Sequence, residues 1–309
     1  MSKSYLSDDA GTVAATREGH SFFVPSSDGL RLHVREYGSP SLSAVTVVCL
    51  PGLTRTTDDF GVLAPALAYG TQPRRVIAVD SRGRGKSEYD SDPQHYTLAV
   101  ELNDVIAILT ARKIDSAIFV GSSRGGILTM LLAAMYPEMI AGAVLHDIGP
   151  KIEPEGVARI KAYIGKMRQP RSFEDGAEIL RELFAAQFPK LTDEQWLGAA
   201  RRTWKPQDRK LVLTYDPALA ETLADFDIEH PLLPLWDQFN ALARVPVLVI
   251  RGANSDILSV ATLREMQAHH PNLVSLEVPD QGHVPLLDEP DLINRIVAFV
   301  ERCEHRARS

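Results

Sequence analysis

Ala117-Ile118-Phe119-Val120-Gly121-Ser122-Ser123-Arg124-Gly125-Gly126 joins an apolar run to an apolar helical pattern, Ile127 to Met135. It reads as a strand, a sharp turn and a helix, with a serine at the apex. The spacing G-x-S-x-G puts Ser123 at that apex and makes it the candidate nucleophile. Ser122 does not fit the same register, because its flanking positions are Val120 and Arg124, where a tight turn needs small residues. A serine hydroxyl needs a base to take its proton and donors to hold the oxyanion. The turn exposes the hydroxyl above the sheet. It also sets the amide of Arg124 at a helix N-terminus, where the dipole favours negative charge. A Gly/Ser-rich turn without chemistry looks the same, so the rest of the chain must supply the partners.

The chain has 309 residues, enough for one large α/β domain or a core with an inserted one. Its 45% hydrophobic and 24% charged content suits a soluble enzyme. A net charge of -7 argues against nucleic acid as a partner, since a phosphate backbone needs a basic face. Cys49 lies in an apolar run and reads as a small buried hydrophobe, and Cys303 falls in the last helix. Two isolated cysteines make no disulfide framework and fit a reducing, cytoplasmic compartment. Met1 to Glu18 lacks an apolar secretory region, and no apolar run approaches the roughly 18 residues of a membrane span.

Along the chain, residues 1–20 read as a flexible polar arm. Phe22 to Val24 and Leu30 to Tyr37 form a hairpin about the Asp28-Gly29 turn. Strands follow at Ala44 to Leu50, Arg75 to Val79, Ala117 to Val120 and Ile140 to Leu145, with helices at Asp59 to Tyr69, Leu98 to Arg112 and after Ser123. Residues 151–240 then read as helices with no strand of note, and hold all three tryptophans, Trp196, Trp204 and Trp236. Alternation resumes with a strand at Val245 to Ile250, a helix at Ala261 to His270, a strand at Leu273 to Val278 and a final helix from Asp291 to about His305. Such alternation implies a mostly parallel sheet covered on both faces. The helical block, 151–240, is placed above the C-terminal strand ends as a cap on a core of 21–150 and 241–309.

Three features can serve Ser123. His283 sits in the loop Asp280-Gln281-Gly282-His283 between the last strand and helix, and histidine is the residue type suited to taking and returning a proton near neutral pH. Asp256 follows the Val245 to Ile250 strand and can accept the second imidazole N–H. Asp147, after the Ile140 to Leu145 strand, is the rival acid; Asp256 is preferred. Pro51-Gly52-Leu53 follows the strand ending at Leu50, where the amide of Leu53 would join that of Arg124 as oxyanion donor.

With these in the order Ser, Asp, His, the chain resembles the α/β-hydrolase superfamily over about residues 21–306, in the serine-nucleophile branch with a helical cap. Asp80-Ser81-Arg82-Gly83-Arg84-Gly85-Lys86-Ser87 looks like that family's D-x-R-G-x-G-x-S segment, and the Gly282-His283 loop precedes Asp288-Glu289-Pro290 in the same way. Many relatives have His-Gly where this chain has Pro51-Gly52; the donor is a backbone amide, so the change need not harm it. The resemblance implies an eight-stranded sheet, a triad that needs no cofactor and a pocket under the cap. Relatives with Asp at the apex form alkyl esters. Ser123 implies an acyl intermediate, and so a carboxylesterase-like enzyme acting on a small ester or lactone. A C–C hydrolase or lyase for an anionic enol or diketo acid stays open, as does a small-molecule receptor with incidental hydrolysis.

Arg55 and Arg124 could each bind a substrate carboxylate. For Arg124 the preferred reading is that it turns away to a structural acid. Trp196, Trp204 and Trp236 could line an apolar pocket or form cap core. Gly85-Lys86-Ser87 is no phosphate loop, because the glycine required five positions before Gly85 is Asp80. No Cys/His cluster at metal spacing is present, so no metal is expected. Monomer and dimer are equally open.

Overall fold

Hydrophobic runs of four to seven residues dictate the centre of the molecule. The computed structural model describes residues 18–40 and 44–307. Its main sheet contains β1 (His20–Pro25), β2 (Arg31–Tyr37), β3 (Thr46–Leu50), β4 (Val76–Val79), β5 (Ala117–Ser122), β6 (Ile140–His146), β9 (Val247–Gly252) and β10 (Leu273–Val278). The strand order is β1-β2-β4-β3-β5-β6-β9-β10. β2 runs antiparallel to β1 and β4, and the remaining pairs are parallel. Residues 1–17 of the expected arm lie outside the described residues, and His20 already belongs to β1.

Strand side chains alternate between two faces. Val48 and Leu50 of β3 and Phe119 of β5 join one apolar cluster, with α2 (Leu98–Ala111), α3 (Arg124–Met135) and α8 (Val260–His269). Val47, Cys49, Ile118 and Val120 join the other, with α1 (Leu63–Tyr69) and α9 (Pro290–Ala307). Both faces are therefore covered, which is why the central strands carry few polar residues. The helix expected from Asp59 is shorter: Thr57–Phe60 is a 3₁₀ turn capped by Thr56, Gly61 closes it, and α1 begins only at Leu63.

Registers bring the strand ends to one edge. Leu50 pairs with Gly121, Ser122 with His146, and His146 with Ile250. The loops after β3, β5, β6 and β9 thus emerge together, where ligands bind in such sheets.

Between β6 and β9 the chain forms α4 (Pro154–Tyr163), α5 (Phe173–Phe184), α6 (Asp193–Thr203), β7 (Trp204–Gln207), β8 (Lys210–Leu213) and α7 (Trp236–Asn240). The hairpin β7–β8 corrects the expectation of a strandless block. Its turn uses Asp208 and Arg209 at φ 47° and 63°, without the glycine that would announce it. Part of the insert has its own apolar cluster, including Leu180, Phe188, Trp196 and Trp204. The end of the insert returns to the main core through Phe239 and Leu242.

Candidate active site

The turn after β5 is as tight as its glycines suggest. A Cβ on Gly121 would lie 2.5 Å from Gly125 O, and one on Gly125 would lie 2.1 Å from Leu50 O. Ser123 sits between them at φ 48°, ψ -113°, a backbone conformation that side chains rarely adopt. Its amide donates to His146 O at 2.9 Å, fixing the turn to β6.

His283 reaches this serine from the loop after β10. Its Nε2 is 2.8 Å from Ser123 Oγ and its Nδ1 is 2.7 Å from Asp147 Oδ2. Ionised Asp147 can only accept, so Nδ1 carries the hydrogen and Nε2 is left to accept from the serine hydroxyl. Asp147 is wholly buried. Its Oδ1 accepts the Gly252 amide at 2.7 Å, and its Oδ2 accepts the Ser255 hydroxyl at 2.6 Å. These donors compensate the loss of water around a buried carboxylate.

The preference for Asp256 is therefore corrected. Asp256 faces Arg159 of α4, which donates Nε and Nη2 to it at 2.5 and 2.9 Å. Burial by itself would raise this carboxyl, but the Arg159 bonds hold it below the ordinary value. Asp147 follows β6 directly, whereas Asp256 stands four residues beyond β9. In that longer loop Ser255, not Asp256, turns toward Asp147.

Leu53 lies in the loop after β3, beside Gly52, where an added Cβ would stand 3.6 Å from Ser123 Cβ. Arg124 opens α3, so its amide belongs to the first turn, whose N–H groups have no acceptor within the helix. The Arg124 side chain does turn away: Nε and Nη2 donate to Glu101 at 2.8 and 3.1 Å, and Nη2 to Tyr96 O at 3.2 Å. Arg84 joins the same buried carboxylate at 2.8 Å. Arg55 is likewise engaged, donating Nε and Nη2 to Asp59 at 2.6 and 2.5 Å.

A cavity lies between this edge of the sheet and the insert. His283, His146 and Arg55 line it from the core, and Tyr163, Phe184 and Trp196 from the insert. Trp196 is thus the tryptophan that meets the cavity. Trp204 is packed inside the insert's own core, and Trp236 stacks on His269 with ring centroids 4.7 Å apart. Among the described residues, one group has metal-ligand spacing, Asp28, Asp90 and His95. Arg82 Nη1 already donates to both carboxylates, at 2.8 and 2.7 Å.

Residues 47–296 match the model of the alpha/beta hydrolase family. The chain belongs to that family. It is 35% identical over 267 residues to the 3-hydroxybutyrate-oligomer hydrolase of Cupriavidus necator, covering 84% of this chain and 89% of that protein. It is 26% identical over 274 residues to the 2-(acetamidomethylene)succinate hydrolase of Mesorhizobium japonicum, covering 88% and 92%. The crystal structure of an alpha/beta hydrolase from Novosphingobium aromaticivorans superposes with a TM-score of 0.86 at 40% identity, over 92% of this chain and 99% of that one. This chain is accordingly a hydrolase.

Four polar residues around Ser123, Asp147 and the cavity escape a reading of the sequence. Ser122 and His146 are register partners on β5 and β6, and their side chains bond at 2.7 Å, Oγ to Nδ1. They immediately precede Ser123 and Asp147. Burial pushes the His146 imidazole down to about 4. Ser255 supports Asp147, and Arg202 of α6 lines the cavity. A signal existed for His146 in its place directly before a post-strand aspartate. None existed for Arg202, whose partners are distant in sequence. No helix among the described residues is long and apolar enough to cross a membrane.

Proposed function

We propose that this hydrolase is a serine carboxyl-ester hydrolase acting on small esters of hydroxy acids. Ser123 is the nucleophile, His283 the base and Asp147 the acid that orients it. The observation that carries the reading is the unbroken hydrogen-bonded line from Ser123 Oγ through His283 to Asp147. His283 takes the serine proton as Oγ attacks the ester carbonyl. The oxyanion is held by the amides of Leu53 and Arg124. His283 then protonates the departing alcohol, and later activates the water that releases the acyl group. Asp147 stays ionised and stabilises the imidazolium.

The insert acts as a cap, supported by the cavity that its Tyr163, Phe184 and Trp196 share with His283. The hydroxy-acid ester is suggested by the activity named for the Cupriavidus relative. The C–C alternative rested on the cap and triad, with Arg55 and Arg124 as its candidate anion donors; both guanidinium groups are committed to Asp59 and Glu101, so neither serves as that donor. A cytoplasmic setting is supported by a sequence with just two cysteines, Cys49 and Cys303, both buried. Ser123→Ala is expected to lower turnover of 4-nitrophenyl butyrate by at least about 10³-fold. An organophosphonate should label Ser123 in the unaltered protein. Near-native hydrolysis by the variant would overturn the assignment.

A further inference from the structure

Arg55 and Arg124 are saturated by carboxylates of the protein, but a third arginine near the site is not. Arg202 lies in the last turn of α6 and lines the same cavity as His283. Its side chain is only 22% exposed. Its Nε stands 3.4 Å from Asp59 Oδ1, an ion pair without a hydrogen bond. Both oxygens of Asp59 already accept from Arg55, at 2.5 and 2.6 Å.

The other acids on this wall do not complete the pairing. Asp58 is held by Arg35 at 2.9 Å. Asp288 has a buried Oδ1 with no hydrogen-bond partner and makes no salt bridge among the described residues. Burial raises its carboxyl above the ordinary range against the pull of the Arg202 charge, and its Oδ1 makes no hydrogen bond to that guanidinium. What remains is a partly desolvated guanidinium whose donors are not used by any carboxylate at hydrogen-bond distance among the described residues. Met167, Phe184 and Leu191 give the same cavity apolar lining. In such surroundings a planar donor fork discriminates strongly for a carboxylate.

We propose that Arg202 receives a free carboxylate of the substrate, so that the enzyme selects acid-terminated esters over their neutral counterparts. A linear ester of two hydroxy acids ends in such a group. Arg55 and Asp59 then act as the brace that sets Arg202 in place. The inference rests on the serine-ester reading above, and its test separates the two.

The linear dimer of 3-hydroxybutyrate and its methyl ester differ only at that carboxylate. The enzyme is expected to favour the free acid in kcat/KM by about ten-fold or more, as a hydrogen-bonded charge pair predicts. In Arg202→Gln that ratio should collapse toward one, and Arg202→Lys should restore part of it. An unaltered ratio in Arg202→Gln, or no preference in the native enzyme, overturns the proposal. Calorimetry on the Ser123→Ala protein reads the contact without turnover. The dimer should bind about ten-fold more weakly when Arg202→Gln is added, and equal binding would count against it. Loss of ester hydrolysis as such, judged with 4-nitrophenyl butyrate, speaks to Ser123 and His283 and leaves the binding ratio readable.

Discussion

The loops that leave β6 and β9 each place an aspartate just beyond a parallel strand, yet they have opposite fates. Asp147 is wholly buried, with His283, Ser255 and the Gly252 amide around its two oxygens. The Asp256 side chain is 27% exposed and answers an arginine of the insert. One carboxylate is held by three donors from two segments, the end of β9 with its loop and the loop after β10, and the other by the fork of Arg159. The β9 loop is not idle: it gives Asp147 a hydroxyl and an amide. It supports Asp147 without providing the carboxylate that meets His283.

The comparison breaks first at Asp147. Asp147→Asn should lower kcat for a neutral aryl ester by about 10³–10⁴-fold, because the amide favours the wrong imidazole tautomer and cannot stabilise the imidazolium. Rates on 4-nitrophenyl butyrate measure this directly. A loss below ten-fold would mean that His283 finds another acid during turnover.

Acid should strike the β6 end before the β9 end. His146 is fully buried and its imidazole is pushed down to about 4, from an ordinary 6.5. The unfolded chain therefore takes up a proton as pH falls through about 6.5, while the folded protein does not until about 4. Stability is lost across that window, by about 3 kcal/mol in full and about 2 kcal/mol between pH 7.5 and pH 5. Urea unfolding at those two pH values should show a drop about 2 kcal/mol smaller in His146→Gln than in the native protein. Equal drops would show that His146 does not carry the effect.

How much of this was legible follows from the range of each cause. The turn at Ser123 is a local steric matter, settled by Gly121 and Gly125 within five residues, and so G-x-S-x-G speaks for itself. Strand alternation and the order of Ser123 and His283 along the chain are equally readable. Choosing between Asp147 and Asp256 needs the path of two loops relative to a histidine far along the chain. Both follow a strand, and periodicity says nothing about which side chain faces inward. The β7–β8 hairpin was hidden because Asp208 and Arg209 adopt positive φ without glycine. Arg202 was hidden because its meaning depends on which other arginines are already paired.

Ser255 sharpens the comparison, since it is the β9 loop's direct contribution to the acid. Its Oγ donates to Asp147 Oδ2 at 2.6 Å and also accepts the amides of Ile257 and Leu258 at 3.2 Å each. A hydrogen bond to a charged group contributes about 1.5–3 kcal/mol. Ser255→Ala should lower kcat about ten-fold and leave KM within about two-fold, because the carboxylate keeps His283 and the Gly252 amide. A loss confined to KM would show that the β9 loop acts on substrate and not through Asp147.

The smallest effect is expected one residue further on. Asp256 and Arg159 join the β9 loop to α4 in a partly exposed ion pair, the kind that contributes about 1 kcal/mol or less. Asp256→Asn should therefore cost about 1 kcal/mol in urea unfolding and leave kcat within about two-fold. Pairing it with Arg159→Met should add little, because the two side chains serve one contact. If Asp256→Asn instead reduced kcat as deeply as Asp147→Asn, the loop would have to reorganise in turnover, carrying Asp256 from α4 to His283. The present geometry opposes that: the move would break the Arg159 fork and displace Ser255 from the buried Asp147 at the same time.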